Sequence, residues 1–162
     1  MSRIIENVSR DDIRRGDHTD PGPNSMLIQI SDPAQGFPTP KHQFKTVHQF
    51  EFLDADDDTM FPEEALISDE QATELVNLLE QAHALEMNVT VHCHAGICRS
   101  GAVVEVASMM GFTPTNRLRL PNVRVKYKMM RVLGLTYDAD TDTTNGETTD
   151  WGFVLPKQND GD

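Results

Sequence analysis

Cysteine is nearly absent from this chain: two residues in 162, Cys93 and Cys98. So few exclude the disulfide framework of a small secreted domain. No apolar run approaches the length of a membrane span, and the N-terminal stretch MSRIIENVSRDD lacks the apolar segment of a signal peptide. A soluble, cytoplasmic protein with no membrane partner is the expectation. Positive charge is also scarce, with 14 Lys and Arg against 26 Asp and Glu and a net charge of −12. A nucleic-acid partner would need a basic face, so none is expected. A phosphate ligand stays open, because a few local donors decide that.

What is present fits one domain with a sizeable core: 38% of residues are hydrophobic and 25% charged. The chain is organised around Val89 to Gly101, VTVHCHAGICRSG. The β-branched run Val89–Val91 ends at His92-Cys93. Five residues follow, then Arg99, Ser100 and Gly101, then a helix-like run from Ala102 to Met110. A strand, a tight glycine-containing loop and a helix start make an anion site, because loop N–H groups and the positive end of the helix dipole converge. A cysteine at the base of such a cup is expected to have a depressed pKa and to act as a thiolate nucleophile. Arg99 at the rim would grip a phosphate with two parallel N–H bonds. A cation is electrostatically disfavoured at a helix N-terminus, which argues for a ligand there rather than a surface Arg. Zinc binding by His92, Cys93, His94 and Cys98 is set aside, since the spacing fits no usual structural zinc pattern.

Elsewhere the chain alternates strands and helices. Ile4, Ile5 and Val8 predict a first strand, and Ser9 caps a short helix ending at Gly16. Met26 to Ile30 predicts a buried strand, and Asp32 to Pro40 an irregular segment. Phe44 to Phe52 alternates as a strand ending at Leu53, with Val47 out of step. The acidic stretch Asp54 to Asp58 follows. Ser68 and Gln71 form a capping box for a helix with an apolar stripe of Ala72, Leu75, Val76, Leu79, Ala82 and Leu85, ended by Asn88. The helix from Ser100 to Met110 stops at Gly111 and Pro114. A last helix spans Val123 to Leu133 and carries Arg124, Lys126, Lys128 and Arg131. It either draws a phosphopeptide to the cleft or is an ordinary solvated face. The resulting fold class is α/β, three layers with a central, mostly parallel sheet and ligands at the carboxyl ends of its strands. Residues 1–136 form that domain. Residues 137–162 are an acidic, Thr-rich tail expected to be disordered, in which Trp151, Phe153, Val154 and Leu155 stand out as able to dock back.

His92-Cys93-x5-Arg99-Ser100, with Gly96 inside the loop, resembles the signature of cysteine-dependent tyrosine and dual-specificity phosphatases. Met26 to Leu135 is similar to the compact phosphatases of bacteria and their phages, including the Pro121-Asn122 pair before the last helix. The resemblance implies metal-independent hydrolysis of phosphotyrosine in a phosphorylated protein or peptide, with no cofactor, and leaves phosphoserine and phosphothreonine open. Cys93 would form a cysteinyl-phosphate. Arg99 and the loop residues His94, Ala95, Gly96, Ile97 and Cys98 would bind the phosphate. His92 would brace the loop without reacting. Ser100 would assist the sulfur as it leaves, or simply cap the helix. A general acid would come from the acidic stretch, Asp54 first and Asp56 next, ahead of Asp57 and Asp58. Cys98 resembles the second loop cysteine of low-molecular-weight tyrosine phosphatases, which implies a protective Cys93–Cys98 disulfide; otherwise it is a small loop filler. The loop holds no lysine, which places phosphoinositides lower, and the net charge disfavours RNA 5′-phosphates. A sulfur transferase or arsenate reductase is disfavoured by the Arg99-Ser100 ending and by the lack of further cysteines. The main alternative is a phosphopeptide-binding pseudophosphatase with little turnover.

Overall fold

A computed structural model describes residues 3–55, 61–137 and 153–154. Its centre is a five-stranded sheet in the order β3-β2-β4-β1-β5, with every neighbouring pair parallel. The strands are β1 (Ile4–Ser9), β2 (Ser25–Ser31), β3 (Thr46–Glu51), β4 (Asn88–Cys93) and β5 (Thr113–Pro114). The helices are α1 (Arg10–Arg15), α2 (Asp69–Ala84), α3 (Arg99–Met109) and α4 (Val123–Val132). A two-residue antiparallel pair, β6 (Thr136–Tyr137) with β7 (Phe153–Val154), lies outside the sheet.

Strand alternation splits the core in two. Val89, Val91 and Cys93 of β4 join Met26, Ile28 and Ile30 of β2 against α2, α3 and α4. On the other face Val8 and Leu27 pack with Ile13 of α1 and with Phe44. This is the expected three-layer α/β arrangement. Burial at this density supplies about 25 cal/mol for each Å² of apolar surface removed from water, which makes sheet faces the main source of stability. No helix among the described residues is long and apolar enough to cross a membrane.

The caps follow the residue chemistry. Ser9 accepts from the Asp12 amide while the Asp12 carboxylate accepts from the Ser9 amide, and Ser68 and Gln71 do the same for α2. Gly16 closes α1 in the left-handed conformation, with φ of 80°.

Several expectations need correction. Leu85 lies past the end of α2 and is 60% exposed, so it is not part of the stripe. Asn88 opens β4 instead of ending the helix, because Glu86 turns the chain at φ 56°. Phe44 precedes β3 and packs on the α1 side. The short strand β5 went unforeseen, since a Thr-Pro pair at a sheet edge carries no alternation. Helix α4 is not a free basic face. Lys126 is buried with Glu105 3.6 Å away, Lys128 bonds Asp69 at 2.7 Å, and Arg124 reaches the Ile67 carbonyl. The tail expectations lie outside the described residues except at Phe153–Val154, whose backbone pairs with Thr136–Tyr137.

Candidate active site

The parallel strands bring their carboxyl ends to one rim. Ser9 of β1 stands opposite Cys93 of β4 in register, and Ser31 of β2 stands opposite Glu51 of β3. Cys93 is the last residue of β4, and residues 94–98 form the loop that delivers the chain into α3.

The rest of the protein holds this loop by its carbonyls. The Arg10 amide donates to the His94 carbonyl at 3.1 Å, and Asn7 Nδ2 donates to the Gly96 carbonyl at 2.7 Å. The Leu120 and Asn122 amides donate to the Ile97 and Cys98 carbonyls, at 3.1 and 2.9 Å. Among the described residues, the amides of residues 94–98 find no protein acceptor. A loop with the His94, Gly96, Ile97 and Cys98 carbonyls committed and its amides without an acceptor among the described residues can receive an anion.

Gly96 shows why that position needs glycine. Its φ is 77°, and an added Cβ would stand 2.3 Å from the Val8 carbonyl carbon. Both the backbone angle and the close approach exclude a side chain.

Cys93 is 2% exposed, and its Sγ lies 3.2 Å from Ser100 Oγ. Ser100 is the second residue of α3, and Cys98 takes the N-cap position without a side-chain cap bond. The capping alternative for Ser100 therefore falls away. His92 points to the opposite face of the sheet from Cys93. It is fully buried and donates from Nδ1 to the Cys93 carbonyl at 3.2 Å. Burial, helped by the charges of Arg10 and Arg99, lowers its pKa to about 4 despite the bond to the Cys93 carbonyl. His92 is therefore a neutral brace beneath the loop.

Arg99 opens α3 and is 3% exposed, not a surface residue. Its Nη1 donates to Asp32 Oδ1 at 2.8 Å and to the Phe52 carbonyl at 2.7 Å.

A cleft of about 280 Å³ opens over these groups. Cys93, His94, Ala95, Cys98 and Arg99 line it, together with Asp32, Leu53, Asp54 and Phe61. Gly96 and Ile97 do not line it: Gly96 lies against the Val8 backbone, and the Ile97 carbonyl accepts from the Leu120 amide. Asp54 is exposed and accepts from Asn122 Nδ2 at 2.7 Å. Cys98 lies beside it: burial, then the Asp54 carboxylate, push the Cys98 thiol pKa up. Asp56, Asp57 and Asp58 lie outside the described residues.

Sequence reasoning missed Asp32, Asn7 and the Phe52 carbonyl. Asp32 had a usable signal, since it follows β2 just as Asp54 follows β3. Asn7 is a buried amide in an apolar strand, and only the fold shows what it holds.

No family model matches this sequence, and no curated protein does. Similar solved structures include a human tyrosine phosphatase-like serine/threonine/tyrosine-interacting protein, 16% identical, with a TM-score of 0.47 over 68% of this chain and 76% of that one. An Orf virus tyrosine phosphatase is 16% identical, with a TM-score of 0.45 over 81% of this chain and 82% of that one. A mouse protein described as a dual-specificity phosphatase is 13% identical, with a TM-score of 0.43 over 67% and 70%.

Proposed function

We propose that this protein is a cysteine-dependent phosphatase of the dual-specificity type, hydrolysing phosphotyrosine in a protein or peptide. The observation that carries this reading is the buried Cys93 at the foot of a carbonyl-pinned loop, with Ser100 at 3.2 Å and the Arg99 guanidinium on the same cleft.

In the first step the Cys93 thiolate attacks phosphorus, a P–S bond forms and the P–O bond to the leaving group breaks. The leaving oxygen takes a proton from Asp54. The loop amides and Arg99 stabilise the equatorial oxygens in the transition state. In the second step Asp54, now ionised, accepts a proton from water. That water attacks the cysteinyl-phosphate, and the Cys93 sulfur leaves while accepting a hydrogen bond from Ser100. Inorganic phosphate departs. The sequence requires no metal or cofactor. Leu53 and Phe61 give the cleft an apolar wall suited to an aryl group.

The test is hydrolysis of p-nitrophenyl phosphate in EDTA by wild type, Cys93→Ser and Asp54→Asn. Turnover abolished in Cys93→Ser and greatly slowed in Asp54→Asn is the expected result. An unchanged rate in Asp54→Asn would move the acid to Asp56 or a neighbour. Absent turnover by a wild type that still binds orthovanadate would favour the phosphopeptide-binding alternative.

A further inference from the structure

We propose that Asn7 is a positioning residue that sets the direction of the Ile97 amide for anion binding. The inference rests on the anion loop of the phosphatase reading above and adds to it a side chain from β1, far from the loop in sequence.

Asn7 is 1% exposed and stands opposite Val91 in register, on the same face of the sheet as Cys93. Its Nδ2 donates to the Gly96 carbonyl at 2.7 Å and to the Leu118 carbonyl at 3.0 Å, which uses both amide hydrogens. Its Oδ1 is buried and has no partner among the described residues. Both facing groups are carbonyls, so only the nitrogen can serve them. Burying an idle oxygen costs free energy, so the side chain is here for its donors.

A carbonyl and the N–H that follows it share one rigid plane and point in opposite directions. Holding the Gly96 carbonyl therefore fixes where the Ile97 N–H points. Holding the His94, Ile97 and Cys98 carbonyls does the same for the Ala95, Cys98 and Arg99 amides. Those three carbonyls are held by backbone amides, of Arg10, Leu120 and Asn122; among the described residues, the Gly96 carbonyl is held by a side chain. Gly96 has no Cβ and a φ of 77°, so the loop is freest to rotate where Asn7 grips it. The Leu118 contact adds a second hold. It fixes the segment that leads to Leu120, whose amide clamps the Ile97 carbonyl. One side chain thus ties both sides of the Ile97 residue to β1.

The test is binding of inorganic phosphate to the full chain, followed by calorimetry and by amide shifts in two-dimensional NMR. Thermal midpoints and p-nitrophenyl phosphate turnover are measured alongside. Asn7→Leu keeps the bulk and removes both donors. It is expected to bind phosphate about tenfold more weakly, the scale of one lost hydrogen bond to an anion. Saturation with phosphate should no longer move the Ile97 amide downfield. The Ala95 amide, set through the His94 carbonyl by the Arg10 backbone, should still move. Val76→Ala, a truncation in the buried face of α2, should lower the midpoint and leave affinity and shifts unchanged. Unchanged affinity in Asn7→Leu would overturn the proposal, as would Ile97 and Ala95 shifts lost together, or an equal loss of affinity in Val76→Ala. Should Asn7→Leu fail to fold, Asn7→Val, which also lacks donors and suits a strand, takes its place. A wild type that binds phosphate without releasing p-nitrophenol would sink the phosphatase reading, and the binding comparison would still decide on Asn7. A wild type that binds no phosphate would overturn both.

Discussion

Cys93 Sγ and Ser100 Oγ lie 3.2 Å apart, both buried, one at the end of β4 and the other in the first turn of α3. At that distance the hydroxyl can donate to the sulfur as negative charge returns to it. Ser100→Ala should therefore slow breakdown of the cysteinyl-phosphate more than its formation. Rapid-mixing measurements should show a burst of p-nitrophenol followed by a steady rate about a hundredfold lower, the scale of one lost donor to a developing charge. An unchanged steady rate without a burst would leave Ser100 a packing residue.

Two glycines separate backbone strain from steric clash. Gly22 and Gly96 have nearly the same φ, 79° and 77°, but nothing lies within 4 Å of a Cβ built at Gly22. Gly22→Ala should cost about 1 kcal/mol, the cost of a left-handed residue alone. Gly96→Ala should cost at least about twice that, because the Val8 backbone must also move, and it should abolish orthovanadate binding. Denaturant titration checks both, and equal losses would mean that the loop has room to relax.

His92 makes stability depend on pH. Its folded pKa is about 4, lowered chiefly by burial from an ordinary value of 6.5. Between these values the unfolded chain binds more protons than the folded one, so stability rises with pH through that window and falls as pH drops from 6.5 towards 4. The contribution at stake is of the order of 3 to 4 kcal/mol, roughly 1.4 for each of about 2.5 pH units. Unfolding of wild type and His92→Gln at a series of pH values should show a shallower acid slope in the variant. Identical slopes would assign the acid sensitivity to other groups.

Cys98 bears on oxidation. Hydrogen peroxide would convert Cys93 to a sulfenic acid, and the Cys98 thiol would then condense with it, releasing water and forming the disulfide. Burial and the Asp54 carboxylate raise the Cys98 pKa, so this closure should be slow at neutral pH and faster as pH rises. Mass spectrometry after mild peroxide treatment should find an internal disulfide whose yield grows with pH. Cys93 sulfinate without a disulfide would leave Cys98 a loop filler.

Much of this protein was legible before folding. The caps at Ser9 and Ser68, the apolar alternation of β2 and β4 and the strand–loop–helix around Cys93 are short-range patterns, carried by neighbours a few residues apart. They were enough to infer a parallel α/β sheet with a rim holding both Cys93 and Asp54. The misreadings came where long-range packing overrode local pattern. Examples are Leu85 left in solvent beyond its helix, and the α4 lysines drawn into pairs with Glu105 and Asp69.

The sequence by itself pointed to Cys93 as the proposed nucleophile, to Arg99 and to the glycine at position 96, because one continuous segment holds all three. Tertiary structure alone decided what holds them. Asn7 supports the loop from 89 residues away, Asp32 meets Arg99 across 67, and Asn122 reaches Asp54 across 68. Those partners share no local pattern with the groups they serve. They meet only in the fold, Asp32 past the end of β2, Asn7 within β1 beside β4, and Asn122 at the start of α4.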